Sequence, residues 1–328
     1  MPKKSFQRLA MPAGGSGRLA NFRTNFVGRM VGDSAECSRF QLEEQILTED
    51  ADVDLTKLAQ FAVKHQLPHA HRVAIWKLLL KVTSCFPEAR KMIAEHRTQE
   101  AEILLKSLSV MRMTSSWSSS NARGPAEVQP SDVDIVRMIQ LGEGRLPSSK
   151  DKHCWDLQSQ AQLAIAKQML ILCETEWLDA FWLTKFFDAL LASVFTDDVL
   201  YKVVDDVIER LRAAHGDMAE AFDSSGMWAR LPFRFWLRSA AASLFTHEPL
   251  LRLWDKICGC TAEGVVTLMR TILISFLAEV GPHIATNQKV KEKSPMEVRL
   301  TIDMENAIIT RSIENVSGSG RFIARKCD

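Results

Sequence analysis

The sequence has little that would mark an enzyme, a secreted scaffold or a nucleic-acid binder. Its seven cysteines are scattered, and Cys258 and Cys260 form a lone C-x-C with no second pair at a zinc-ligand spacing. An odd count in a chain of 328 residues argues against a disulfide framework, so reduced thiols in a cytoplasmic compartment are expected. There is no G-x-S-x-G, no H-E-x-x-H, no phosphate-binding glycine loop and no kinase signature set. Net charge is nearly absent: 41 Lys and Arg stand against 40 Asp and Glu, which gives no overall field for nucleic acid. Strict apolar–polar alternation is missing too, and with it any sign of half-buried strands. No tandem repeat of constant period occurs, which excludes a regular solenoid.

The longest apolar stretch, "GVVTLMRTILISFLAEVG", is interrupted by Arg270 and Glu279 and is short for a bilayer span. It predicts a buried core helix and no transmembrane segment, with peripheral membrane association left open. The amino terminus lacks the continuous apolar core of a secretory signal. It does carry six Lys or Arg and no acid before Asp33. That composition suits a transit peptide, but "MPAGGSG" breaks any amphipathic helix there, so residues 1–36 are read as a solvated basic tail.

What is present is helical period. "DLTKLAQFAVKHQ" puts Leu55, Leu58, Phe61 and Ala62 on one face and stops before Pro68. Similar patterns follow in "HRVAIWKLLLKV", "LAIAKQMLILC", "WLDAFWLTKFFDALLASVF", "DDVLYKVVDDVIERLRAA", "PFRFWLRSAAASLF" and "EPLLRLWDKICG". A long segment from Glu88 to Met113 stacks Leu104, Leu108 and Met111 at i, i+4 and i+7. "TSSWSSSNARGPAE" reads as a loop. The expected fold is therefore all-α, with one domain over residues 41–281. A carboxyl-terminal extension, 282–328, would hold one short helix in "MEVRLTIDMENAIITRSI".

The histidines His65, His69 and His71 cluster around Pro68, but no carboxylate or cysteine of matching spacing completes a metal site. They are read as exposed loop histidines. No metal and no cofactor is expected. Three patches combine charge with tryptophan at helical spacing: Arg72-x-x-x-Trp76-x-x-Leu79, the "EWLDAFW" stretch from Glu176 to Trp182, and "LLRLWDKI", with Arg252, Trp254 and Asp255 in one turn. Taken singly, each reads as core packing with an ion pair at its rim.

Taken in order, R-x-x-x-W-x-x-L, then D-x-x-R at Asp134 and Arg137, then Gln162 ahead of E-x-x-D-A-F-W with Asp179 and Trp182, then L-R-x-W-D, the series resembles that of TBC domains. These are all-helical GTPase-activating domains for Rab-family small GTPases. The resemblance covers Gln41 to Val280. In catalytic TBC domains an I-x-x-D-x-x-R motif supplies an arginine finger and Y-x-Q a glutamine. Carried over, Arg137 is the candidate finger and Gln162 the water-orienting glutamine, a pair whose chemistry is charge stabilisation and in-line positioning. Both motifs are incomplete: Ser131 replaces the apolar anchor, Gln160 the tyrosine, and Leu163 and Ala164 the Gly-Met that follows. The alternative for Arg137 is a helix-surface arginine paired with Asp134 or Glu143.

Within the family, "QLPHAHRVAIWKLLL", "RMIQLGEGRLP", "LAIAKQM" and "RLWDK" are similar to the member-seven branch. That implies a subunit of the tuberous sclerosis complex, bound to a hamartin-like coiled coil and restraining TOR complex one. Endosomal, lysosomal or other vesicle membranes are the places such a subunit would work. Leu104, Leu108 and Met111 are the candidate seam for the partner helix. Two functions therefore stand side by side: a non-catalytic adaptor with a TBC fold, and an activator of a Rab GTPase.

Overall fold

A computed structural model of the protein describes residues 52–115, 129–147, 155–174, 176–286, 300–318 and 324–325. All of them lie in the compact unit Glu49–Asp328. The basic tail and residues 116–127 of the serine-rich loop fall outside the described residues.

The described residues form thirteen α-helices and no strand. In chain order these are α1 (Leu55–Lys64), α2 (His69–Leu79), α3 (Pro87–Val110), α4 (Asp132–Gly142), α5 (Leu157–Leu172), α6 (Trp177–Val194) and α7 (Asp197–Ala214). Then come α8 (Gly216–Ser225), α9 (Met227–Arg230), α10 (Phe233–Arg238), α11 (His247–Gly259), α12 (Ala262–Thr286) and α13 (Ile302–Gly318). The only extended pairing among the described residues is an isolated bridge between Cys260 and Ala324.

Local chemistry sets the helix ends. Asp54 caps α1 by accepting from the backbone N–H groups of Thr56 and Lys57, both at 3.0 Å. Asp156 caps α5 through Ser159 N–H at 2.8 Å. Pro87 opens α3 at a position where its missing N–H costs nothing. The helix ends when Arg112 turns left-handed, φ 58°, and Met113 N–H returns to Leu108 O at 2.9 Å.

Packing then follows the apolar faces. Helix α7 buries Leu200, Val203, Val207 and Leu211, one stripe at helical spacing, against α12. Helix α5 lies between α4 and α6, and α11 packs on α1, α2 and α13. Where α11 ends on α1 the backbones nearly touch: a Cβ at Gly259 would sit 2.8 Å from Ala59 O, so only glycine fits. The centre is aromatic. Trp76 of α2, Phe187 of α6 and Trp254 of α11 have ring centroids 4.8–6.4 Å apart, joining three helices far apart in sequence.

Helix α12 is long and apolar enough to cross a bilayer by length and composition. Here Val265, Leu268, Met269, Ile272, Leu273, Leu277 and Val280 are all buried, and α7, α8, α11 and α13 pack on it. It is a core helix, as the sequence predicts.

Three expectations are corrected. The pattern "PFRFWLRSAAASLF" makes a helix only to Arg238. Ala240 and Ala241 then turn left-handed, and Trp254 Nε1–H takes the Ala240 carbonyl at 2.9 Å, so a tertiary bond overrides the helical period. His69 and His71 lie in the first turn of α2 rather than in a loop, and only His69 is exposed. The boundary after residue 281 is shifted: α12 runs to Thr286, and the short helix expected within the extension is the 17-residue α13, Ile302–Gly318, which packs on α11 and α12. Glu305 of α13 accepts Thr246 N–H and Oγ1–H, at 2.9 and 2.5 Å, capping α11 from outside.

Candidate functional site

Three of the motif residues, Arg72, Trp76 and Asp255, converge on one buried node. Arg72 Nε donates to Asp255 Oδ1 at 3.1 Å, and Trp76 Nε1 donates to the same oxygen at 2.9 Å. Arg72 Nη2 reaches Asp255 Oδ2 and Leu67 O, both at 3.4 Å. Arg72 and Trp76 lie one turn apart on α2, so they present side by side to the Asp255 of α11. Burial pushes the Asp255 carboxyl up to about 6, against the opposing pull of Arg72. This ion pair is inside the core, not at its rim as single-patch reading suggests. Next to it Lys256 reaches down to Ala62 O at 2.9 Å and His65 O at 2.5 Å, closing the end of α1.

The other motif residues tie the helices around this node. Arg252 faces away from it and donates to Asn306 Oδ1 at 2.8 Å and Thr310 Oγ1 at 3.1 Å of α13. Asp179 pairs with Lys77 at 2.8 Å, half-exposed. Trp182 lies under the guanidinium of Arg97 at 4.6 Å and donates its indole N–H to Arg97 O at 3.3 Å, fastening α6 to α3.

Neither candidate finger points outward. Arg137 is 2% exposed and Gln162 0% exposed. Arg137 donates through Nη1 to the carbonyl of Met113, in the segment that leaves α3. Burial pulls its guanidinium below the ordinary value, and the charge of Asp134 opposes that. Asp134 itself is taken up elsewhere. It accepts Ser131 N–H at 2.9 Å in a capping box, and Ser115 N–H and Oγ–H at 2.7 and 2.6 Å. This accounts for Ser131 standing where an apolar anchor was expected: it is the N-cap of α4. Arg137 is therefore neither a displayed finger nor a surface arginine, and Glu143 pairs instead with Arg145 at 2.5 Å.

Gln162 belongs to a second buried polar group that the sequence reading missed. Its Nε2 donates to Asp188 Oδ2 at 2.8 Å, and Gln158 Nε2 donates to both oxygens of Asp188 at 2.6 and 2.7 Å. Arg238 completes the set at 3.3 Å from Gln158 Oε1. Gln162 Oε1 is buried without a hydrogen bond. Burial pushes the Asp188 carboxyl up to about 6 while the two glutamines hold it down. A lone Asp in the apolar run "KFFDALL", one turn from Thr184, was the available signal.

The predicted seam on α3 is split. Leu108 is fully buried, and Leu104 is half-buried beside Gly142 of α4, where a Cβ would lie 3.4 Å from Leu104 Cδ1. Only Met111 of the three is exposed. The stripe at i, i+4, i+7 faces largely inward because α4 and α6 pack there. A different line faces out: Met92, Ile103 and Val110 are 57%, 64% and 76% exposed. At about 100° per residue they fall within about 20° of one another, opposite the buried Ala101 and Leu108. Among the described residues no three His, Cys, Asp or Glu side chains come together as metal ligands.

No protein-family model matches the chain. It is similar to TBC1 domain family member 7 from Homo sapiens, with 26% identity over 270 residues, 82% of this chain and 86% of the relative. The protein of that name from Danio rerio is also 26% identical, over 257 residues, 78% of this chain and 81% of the relative. Among solved structures, the Ypt/Rab-GAP domain of Gyp1p is matched along its whole length and over 87% of this chain, with a TM-score of 0.57 at 11% identity. The fold is thus the all-α fold of TBC Rab-GAP domains, and the likeness in sequence runs to the member-seven relatives over most of the chain.

Proposed function

We propose that this chain is a non-catalytic adaptor that uses the TBC fold as a scaffold and docks a coiled-coil helix on the outer face of α3. The observation that carries the reading is the line Met92, Ile103, Val110, exposed on a helix whose opposite face is core. Their separations, 11 and 7 residues, fit one heptad register, with the polar His96, Gln99 and Lys106 at the positions between them. The inward burial of Arg137 and Gln162 supports the loss of catalysis, because a finger must reach the transferring phosphoryl group to stabilise it. The partner that goes with this reading is the coiled coil of a hamartin-like protein, in the tuberous sclerosis complex that restrains TOR complex one; the likeness to member-seven relatives supports it. Cytoplasmic residence, with recruitment by that partner to endosomal, lysosomal or other vesicle membranes, goes with this reading.

The test is gel filtration of the purified chain with the carboxy-terminal coiled coil of hamartin. A co-eluting complex of fixed stoichiometry is expected, and separate elution at micromolar concentrations would refute the assignment.

The second reading, activation of a Rab-family GTPase, is favoured by the Gyp1p-like fold and by Asp134, Arg137 and Gln162 standing in motif order. A pull-down from cytosol with GDP and aluminium fluoride separates the two, because the fluoride complex traps a GTPase on a working finger. Retention of a Rab only with fluoride would establish the activator.

A further inference from the structure

A crevice of about 210 Å³ lies between the end of α1, the face of α11 and α13. Its lining includes three cations, Lys64, Arg252 and Lys256. Among the described residues none of the three is in a salt bridge. Arg252 bonds only to the neutral oxygens of Asn306 and Thr310. Lys256, more than nine-tenths buried, gives two of its three N–H groups to the carbonyls of Ala62 and His65. Of the two acids present, Asp255 is bound by Arg72 and Trp76, and Glu314 stands exposed.

We propose that this crevice is a binding site for one phosphate group, held by Lys64, Arg252 and Lys256. Three cations stand here against two carboxylates, one already held by Arg72 and Trp76 and the other exposed, so the crevice has positive charge to spare, the balance that favours a compact, multiply charged oxyanion. Burial pulls the Lys256 ammonium down to about 8, Asp255 supports its charge, and the nearby Arg252 works against it. A phosphate would relieve that repulsion. The volume is below the roughly 300 Å³ at which pockets for larger organic ligands begin, which fits a phosphate monoester head better than a whole nucleotide. The phosphate could belong to a soluble ester or to a phosphoinositide headgroup. Both share the chemistry, and they differ in whether a membrane is needed.

Inorganic phosphate titrated calorimetrically into the full chain, at pH 7 and constant ionic strength, tests the site. Saturable binding at one site is expected. Lys64 is exposed at the end of α1, so Lys64→Glu removes a cation without touching the core. It should weaken binding by about tenfold or more, the loss of one charge-assisted contact. Glu314→Gln should tighten it, an effect that a structural role alone would not give. Flotation with phosphatidylcholine vesicles, with and without phosphatidylinositol 4-phosphate, identifies the source. Lys64-dependent retention on the phosphoinositide vesicles assigns a lipid headgroup, and binding of free phosphate without retention assigns a soluble ester. No saturable binding in either arm, or binding indifferent to both Lys64→Glu and Glu314→Gln, would overturn the proposal.

Discussion

Arg72 and Asp255, 183 residues apart, form a buried ion pair at 3.1 Å that Trp76 shares through its indole N–H. Removing one partner leaves an uncompensated charge in the core. Arg72→Met is therefore expected to cost about 3–5 kcal/mol, while Arg72→Met with Asp255→Leu should recover much of it. Urea unfolding of the single and double variants measures the coupling. Additive losses would mean that the pair is not the unit that joins α2 to α11.

Asp188 gives stability a dependence on pH. Its native carboxyl titrates near 6, above the ordinary value, because it is buried. The native state then holds a proton that the unfolded chain has already released. The stabilisation from this group is complete below about pH 4 and is lost as pH rises through about 6. Asp255, also raised to about 6, acts in the same direction. Asp188→Asn should gain on the wild type by up to about 3 kcal/mol between pH 4 and 7. Its amide could also donate to the unpaired Oε1 of Gln162. Urea midpoints across that range check the sign, and parallel curves would contradict it.

The period of the apolar residues was enough to read the all-α class and most of the helices. The ordered series from Arg72 to Asp255 was enough for the family likeness, and its first and last members, Arg72, Trp76 and Asp255, meet in one node. Periodicity identifies an apolar face but not what covers it. Both Leu108 and Val110 sit on apolar lines of α3, and only the packing of α4 and α6 decides that the first is core and the second surface. Burial of polar groups is likewise a tertiary property. Nothing local distinguishes Gln162 on a surface from Gln162 donating to an Asp 26 residues away.

That division on α3 predicts opposite phenotypes from neighbouring positions. Ile103→Glu and Val110→Glu replace exposed side chains, so stability should change by no more than about 0.5 kcal/mol while coiled-coil binding is lost. Leu108→Glu puts a charge into a fully buried site and should unfold the helix packing altogether. Circular dichroism melts beside a binding titration distinguish them. Binding retained by both exposed variants would move the partner off this face.

Arg137 and Gln162 offer the sharpest contrast between the two functional readings. If Arg137 is a finger, Arg137→Ala should reduce GTPase stimulation by about 10³–10⁵. The structure instead has it donating to Met113 O from a position almost without solvent contact. On that geometry Arg137→Ala leaves a buried carbonyl short of a donor and costs about 1–3 kcal/mol, with Rab hydrolysis staying at its intrinsic rate in wild type and variant alike. Gln162→Ala removes one of the two glutamine donors on Asp188, so its carboxyl should titrate still higher than in the wild type. The measurements are single-turnover GTP hydrolysis by a panel of Rab proteins, and thermal melts of the same preparations. Lower melting with flat hydrolysis makes both residues structural. A wild-type acceleration that both substitutions abolish, with melting unchanged, would require the two side chains to swing out of the core and would restore the activator.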